Sequence, residues 1–360
     1  TYAHGTPRAL ARLYAPGLSM TKWVESTPAV DARLTDTQID TWREQGFALA
    51  HDLLPETLLR KAAQDTIAAC PPPGSEAAAA IDNFGSNQHF VFPSSSEACN
   101  QITLHPALLR AVADLLGTDI GSLRLTQSDV WPKYGRAPSA HNYDNADQRI
   151  HCDYPNHMLT HPPGWYEPDA VEIIIYLSEF ESCAGSTAVV PREGSDDPAY
   201  EWPITRTPGV GVLPYINDRA RAEAYLSEHA PDTATFREEH LYARECLARY
   251  QFGSVLLYRH DTWHRGTPVK TGALRVVHNL TFRKADNSQV NTLHPGWSWA
   301  MYHPNQFMEK LVALATVDQR GVLGFPMPGD AYWTAQTIAA AAARYGVFGM
   351  DMAPYEARLI

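Results

Sequence analysis

The apolar positions change period twice along the chain. Between residues 34 and 46 the spacing is helical: Ile39 and Trp42 share one face, Thr35 and Gln38 form a capping box, and Gly46 supplies the stop. A short strand is expected at Phe47-Ala48-Leu49-Ala50, a second helix from Pro55 to about Ala69, and a break at Pro71-Pro72-Pro73-Gly74-Ser75. Residues 106–116 read as another helix, opened by Pro106 and ended by Gly117.

From about residue 122 the period becomes that of strands. Residues 123–131, 148–153, 171–177, 187–190, 210–213, 255–258, 262–267 and 275–282 are β-rich runs bounded by Gly, Pro, Asn or Asp. Many short strands with few helices between them predict a mainly β fold with flanking helices, built on a double-sheet jelly roll or barrel. Residues 214–248 interrupt that core with charge-rich, helix-patterned sequence over 218–229 and 233–247. An insertion of this length is expected to cover the substrate entrance or to form a contact between subunits. The helical pattern returns at 304–317 and 332–345. The expected organisation is one domain over 1–360. It has an N-terminal extension (1–33), a helical part (34–117), a β core (118–285) carrying the 214–248 insertion, and a helical C-terminal part (286–360).

Composition narrows the partners. Of 360 residues, 44% are hydrophobic and 19% charged, enough for a sizeable core. A formal net charge of −11 argues against nucleic acid or an anionic membrane as the main partner and leaves a small molecule. No 18-residue apolar run and no charged-then-apolar leader pattern occurs, so neither a membrane span nor a signal peptide is expected. Five scattered cysteines without a C-x-x-C pair fit a reducing compartment, and the cytoplasm is the expected location. Homo-oligomerisation stays open.

The sharpest chemical signal is His151-Cys152-Asp153 at the end of a strand-like run. Residues i and i+2 of a strand point to one side, so the imidazole and carboxylate aim together while Cys152 faces away. Such a pair supplies two of the three ligands of a facial iron(II) triad. The tripeptide alone is a weak signal, because a surface hydrogen bond explains it equally well. A second signal follows in the run 253–268, where an apolar strand turns at His260-Asp261 and a short strand carries His264. Arg275 comes eleven residues after His264, near enough for a hairpin to return its guanidinium to the site as a carboxylate grip. His157 and His161, four apart among prolines, read as loop or substrate contacts. His260 reads as a turn residue supporting the site, and His278 as a core or barrel-lining residue. Tyr143 and Trp165 are candidate lining residues of the substrate space.

On these residues the chain resembles the phytanoyl-CoA dioxygenase family of iron(II)/2-oxoglutarate oxygenases, over roughly residues 34–285. His151-x-Asp153, Gly185-Ser186-Thr187, Trp263-His264-Arg265-Gly266-Thr267 and Arg275 match its motifs in order and spacing. Gln127-Ser128 resembles a strand of ectoine hydroxylase, a relative whose glutamine lies near the co-substrate. The resemblance implies a double-stranded β-helix core and iron(II) held by His151, Asp153 and His264. It also implies O2 as co-substrate, with 2-oxoglutarate bound by Arg275, Gln127 and Thr187. Tyr143, His157 and Trp165 would then meet a small-molecule substrate. A carboxylate at position 153 favours hydroxylation over halogenation; desaturation, epimerisation or ring closure at the same site, or a metal-binding barrel without turnover, are the alternatives. Three departures stand out. Gly266 replaces a hydroxyl residue common in relatives, Trp131 stands where the ectoine enzyme has asparagine, and the usual Pro-Gly-Ser-His turn reads Pro191-Arg192-Glu193-Gly194-Ser195-Asp196.

Overall fold

Local sequence sets the boundaries of the first elements. Helix α1 (Asp36–Gln45) begins at Thr35, whose hydroxyl accepts the Gln38 N–H while the Gln38 side chain accepts the Thr35 N–H. It ends at Gly46, in the left-handed region at φ 96°, and that turn sends the chain into strand β1 (Phe47–Ala50). Helices α2 (Glu56–Ala69), α3 (Glu76–Ala79), α4 (Glu97–Thr103) and α5 (Pro106–Leu116) follow, the last with proline in its first turn and Gly117 as its left-handed cap. The computed structural model describes residues 32–81, 90–137, 146–154, 165–202, 204, 206–208, 216–285 and 307–330, and of the remainder 333, 335, 338, 341–342 and 345–357.

The core strands are β2 (Phe90–Val91), β3 (Leu123–Tyr134), β4 (Ala170–Tyr176), β5 (Thr187–Val189), β6 (Cys246–Leu247), β7 (Val255–Arg259), β8 (His264–Gly266) and β9 (Leu274–Lys284). One antiparallel sheet has the order β1-β7-β4-β9-β3-β2, and a second the order β6-β5-β8. Backbone 148–151 extends the second sheet past β8. The Gln148 N–H donates to the Gly266 carbonyl at 3.1 Å, and His151 and His264 exchange both backbone bonds at 2.9 Å. Two sheets face each other across one interior, the expected double-stranded β-helix.

The larger sheet packs its outer face on the N-terminal helices. Leu257, Ile173, Leu280 and Phe282 share one buried cluster with Leu108, Leu109 and Val112 of α5. Each such side chain contributes about 1.5–3 kcal/mol through burial, so this layer is the main structural core and holds the sheet rigid behind the site. The inner face of the same sheet is polar in rows set by register. Tyr258, Glu172, Thr281 and Gln127 form one row, Leu256, Ile174, Asn279 and Asp129 the next, then Tyr176, Val277 and Trp131, and finally Arg275 beside Lys133.

The insertion packs differently from expectation. Over 216–248 it forms α6 (Arg219–His229), α7 (Pro231–Phe236), a π-helical turn (Arg237–Leu241) and a 3-10 turn (Tyr242–Arg244). Cys246 and Leu247, expected to end a helix, pair with β5 as β6 instead. Phe236, Leu241 and Tyr242 bury against Ile150, Cys152 and Trp263, which point away from the interior. Arg237, with a fully buried side chain, binds Glu223 at 2.7 Å and the Ile150 carbonyl at 2.9 Å. Among the described residues these helices brace the back of the second sheet. The physical reason is the alternation of the 148–153 run: its apolar side chains needed a partner on the outside.

Further on, helices Phe307–Leu314 and Val317–Val322 return to the N-terminal layer, where Gln319 donates to the Leu104 carbonyl. Among the described residues no helix is long and apolar enough to cross a membrane. The expected strand at 210–213 lies outside the described residues, as do most of residues 1–33 and 286–306.

Candidate metal centre

His151 and His264 sit opposite each other on neighbouring strands, a bridge that aims both imidazoles into the interior with ring centroids 4.3 Å apart. Asp153 lies two residues on from His151. Its Oδ1 is 3.4 Å from His151 Nε2 and its Oδ2 3.2 Å from His264 Nε2. One ligand atom from each residue falls within 4.8 Å of the others, a spacing that suits a single ion.

The tautomers are fixed by the chain itself. His151 Nδ1 lies 3.2 Å from the Arg149 carbonyl and His264 Nδ1 3.0 Å from the Thr262 carbonyl. A carbonyl only accepts, so both Nδ1 atoms carry hydrogen and both Nε2 lone pairs face the same point. Burial, then the charges of Arg149 and His264, pushes the His151 imidazole down to about 4, which keeps it neutral. For His264, burial pulls downward, but the Asp153 carboxylate outweighs it and holds the imidazole above its ordinary value. Burial likewise opposes charge on Asp153, yet His264 and His151 together keep its carboxyl well below the usual range. A buried anion flanked by two imidazoles fits a divalent cation.

Two supports are invisible to motif reading. Tyr258, in the first inner row, donates its hydroxyl to Asp153 Oδ2 at 3.1 Å, and its ring lies 4.6 Å from that of His264. The His260 carbonyl accepts the Asp153 and Tyr154 N–H groups at 2.9 and 3.1 Å, while its imidazole sits against Glu172 at 2.5 Å. His260 therefore acts through the backbone of Asp153. Cys152 is buried on the far side, among the apolar residues under the insertion.

The fourth inner row lies beyond the imidazoles. Arg275 and Lys133 are register partners on β9 and β3, 4% and 1% exposed. Arg275 donates to the Gly185 carbonyl and leaves its Nε without an acceptor; Lys133 donates to the Thr267 carbonyl at 2.8 Å. No carboxylate pairs with either among the described residues, and nearby Asp147 is held by Arg265. Burial, then Arg275, holds the Lys133 ammonium far below its ordinary value. Two buried cations side by side are costly without an anion between them. Thr187 pairs with Gly266 across β5 and β8, and its Oγ1 accepts the Tyr176 hydroxyl at 2.9 Å, leaving its own hydrogen to donate. The side chain absent at Gly266 makes room for this arrangement: a Cβ there would fall 2.5 Å from Gln148 Oε1 and 3.2 Å from Lys133 Nζ.

Gln127 is not brought to Arg275. It stands in the Tyr258 row, six residues along β3 from Lys133, bonding Asp129 and Thr281 at 3.2 Å each. Trp165 lies at the turn between β7 and β8, its indole N–H on the Arg43 carbonyl at 2.8 Å and its own carbonyl accepting from Arg259. Tyr143 and His157 lie outside the described residues.

The phytanoyl-CoA dioxygenase family pattern matches residues 42–277, well over half of the chain, and the chain belongs to that family. It is an iron(II)- and 2-oxoglutarate-dependent enzyme. No curated protein matches it. Among solved structures it is similar to the epimerase SnoN in complex with Fe3+, alpha ketoglutarate and nogalamycin RO, at 14% identity and TM-score 0.46 over 69% of this chain and 83% of that one. It is similar to the carbocyclase SnoK from nogalamycin biosynthesis at 15% identity and TM-score 0.47, over 74% and 90%. It is also similar to HygX from Streptomyces hygroscopicus with nickel and 2-oxoglutarate bound, at 14% and 0.45 over 71% and 89%.

Proposed function

We propose that this enzyme hydroxylates an unactivated C–H bond of a small-molecule metabolite, with His151, Asp153 and His264 holding iron(II). The observation that carries the reading is the convergence of two carbonyl-locked Nε2 atoms and the Asp153 carboxylate on one point, next to a buried cation pair. Arg275 and Lys133 would hold the distal carboxylate of 2-oxoglutarate, with the Thr187 hydroxyl donating to the same group. When bound, iron supplies O2 activation coupled to decarboxylation. The balance is substrate C–H, O2 and 2-oxoglutarate in, and C–OH, succinate and CO2 out.

The chain's own task is positional. The carbonyls of Arg149 and Thr262 hold the imidazole tautomers, Tyr258 and the His260 carbonyl hold Asp153, and the apolar side chains Leu256, Ile174, Val277 and Trp131 of the second and third inner rows limit water in the chamber. The Asp153 carboxylate occupies the position at which a halide would otherwise bind, which favours hydroxylation. Anaerobic titration should show one iron(II) per chain in the wild type and none in His151→Ala or His264→Ala. A substrate screen should then show hydroxylated product and succinate in equal amounts. Stoichiometric iron in either variant would mean the ligands are wrong, and a desaturated, epimerised or cyclised product would replace hydroxylation with one of those outcomes.

A further inference from the structure

Several of the enclosed guanidinium groups are answered by carboxylates, while Arg149, Arg275 and Arg320 meet amide or backbone oxygens instead. Arg237 meets Glu223, Arg244 meets Asp197, Arg259 meets Asp261, and Arg265 meets Glu245 and Asp147. Among the described residues Arg192 has neither kind of side-chain partner: it is 6% exposed, and its Nε and Nη1 are buried with no hydrogen-bond acceptor. The acidic residues that follow it are committed elsewhere: Asp197 grips Arg244 at 2.7 Å, with Glu193 3.5 Å from the same guanidinium. What Arg192 does have is an aromatic shelf. Its guanidinium carbon lies 4.6 Å from the Trp165 ring centroid and 5.7 Å from that of Tyr166, while Arg259, neutralised by Asp261, covers Trp165 at 3.9 Å.

The backbone puts this shelf at the metal's end of the barrel. Val189 is the register partner of His264, and Arg192 lies three residues further along the same chain. The Arg192 N–H donates to the Gln45 carbonyl, and the neighbouring Gly46 carbonyl accepts Arg259 N–H and the Thr262 hydroxyl. That turn, 259–262, joins Tyr258 to His264, and its His260 carbonyl holds Asp153. Arg192 lies in the run Pro191-Arg192-Glu193-Gly194-Ser195-Asp196, which departs from the Pro-Gly-Ser-His turn usual in the family.

We propose that Arg192, shelved on Trp165 and Tyr166, anchors an anionic oxygen group, carboxylate or phosphoryl, on the organic substrate. The proposal rests on the reading of the metal centre and adds the class of molecule it acts on: an anion-bearing metabolite. A guanidinium without an acceptor costs stability in the empty enzyme and returns it when a planar or tetrahedral anion completes its N–H fork. Stacking on the indole keeps that fork oriented without satisfying it. A net charge of −11 makes the local cation a selective feature against a repulsive background.

The test uses full-length enzyme loaded with Mn(II), saturated with 2-oxoglutarate, and titrated with benzoate, phenyl phosphate and the neutral match benzamide. Calorimetry reads affinity, and Mn(II)-induced relaxation of the probe's protons reads nearness to the metal. Wild type should bind one of the two anions with enhanced relaxation, the tighter one marking a carboxylate-bearing or a phosphoryl-bearing substrate. Arg192→Met should weaken that anion at least about tenfold, Arg192→Lys should retain part of the affinity, and 2-oxoglutarate binding should be unchanged in both. Equal anion affinity in wild type and Arg192→Met overturns the proposal, as does benzamide binding as tightly as benzoate, or anion binding without relaxation. Failure of the wild type to bind 2-oxoglutarate would overturn the underlying reading and this one with it.

Discussion

Tyr258→Phe removes a single oxygen atom from the interior, and so isolates the contact between β7 and the Asp153 carboxylate proposed to bind the metal. The lost bond is 3.1 Å long and ends on an ionised oxygen in a site nearly closed to water. A hydrogen bond to a charged group of this kind contributes roughly 1.5–3 kcal/mol, or about tenfold to 150-fold in an equilibrium constant. The Asp153 backbone remains held by the His260 carbonyl, so the carboxylate keeps its place and loses only its orientation. The effect on iron affinity should therefore fall near the lower end, about tenfold to thirtyfold, within the range found when a partner of a metal ligand is removed. Anaerobic iron(II) titration against a competing chelator measures it, with thermal unfolding of the metal-free protein as the fold control. Unchanged iron affinity in a folded Tyr258→Phe variant would refute the argument that the phenol orients Asp153.

Four further outcomes follow from the same geometry. Arg275→Ala and Lys133→Met should each raise the 2-oxoglutarate dissociation constant at least about tenfold with iron binding nearly intact, since each removes one charge-assisted contact; calorimetry on Mn(II)-loaded protein checks this. Gly266→Ser should weaken 2-oxoglutarate rather than tighten it, because its Cβ would have to displace the Gln148 amide and crowd Lys133. Iron affinity should fall as pH drops. His264 sits above its ordinary value in the metal-free protein, so the ion must displace one proton there, and a second only below about 4, where His151 titrates; the titration should lose roughly tenfold per pH unit in the first window. Arg237→Ala strands the Glu223 carboxylate and should cost about 3–5 kcal/mol of stability, read by denaturant unfolding, without changing iron stoichiometry.

The inward set of each strand was legible because the side-chain period of a strand is two. His151 and Asp153 declare their shared side within three residues, and Thr35, Gln38 and Gly46 declare a helix within twelve. What the period cannot tell is which residues of other strands stand opposite. Tyr258 reads as one more apolar strand residue until the β4–β7 register places it beside Glu172, facing Asp153. The insertion shows the same limit. Its helical spacing was visible, but its target depended on Ile150 and Cys152 facing outward, which made the back of the ligand strand the nearest apolar surface. The 233–247 run has the spacing of one helix, yet it passes through a π-turn at Arg237–Leu241 and reaches β5 as a strand. Tertiary pairing there overrides local propensity.

Gly266 makes the point in its most consequential form. Taken along the chain, it is a missing hydroxyl and weakens the case for co-substrate binding. Taken in space, the volume that a side chain there would fill is already occupied by the Gln148 amide and the Lys133 ammonium. Lys133 reaches that volume because β3 pairs with β9 in the register that sets it beside Arg275, a relation spanning more than a hundred residues of sequence. The position two residues after the distal histidine carries no side-chain donor of its own, and the Lys133 ammonium from another strand lies beside it. On the proposed reading, the co-substrate carboxylate would meet two positive groups rather than one. A side chain at 266 would push the Gln148 amide aside and crowd the Lys133 ammonium, so the cost of enlarging the glycine falls on those two flexible groups.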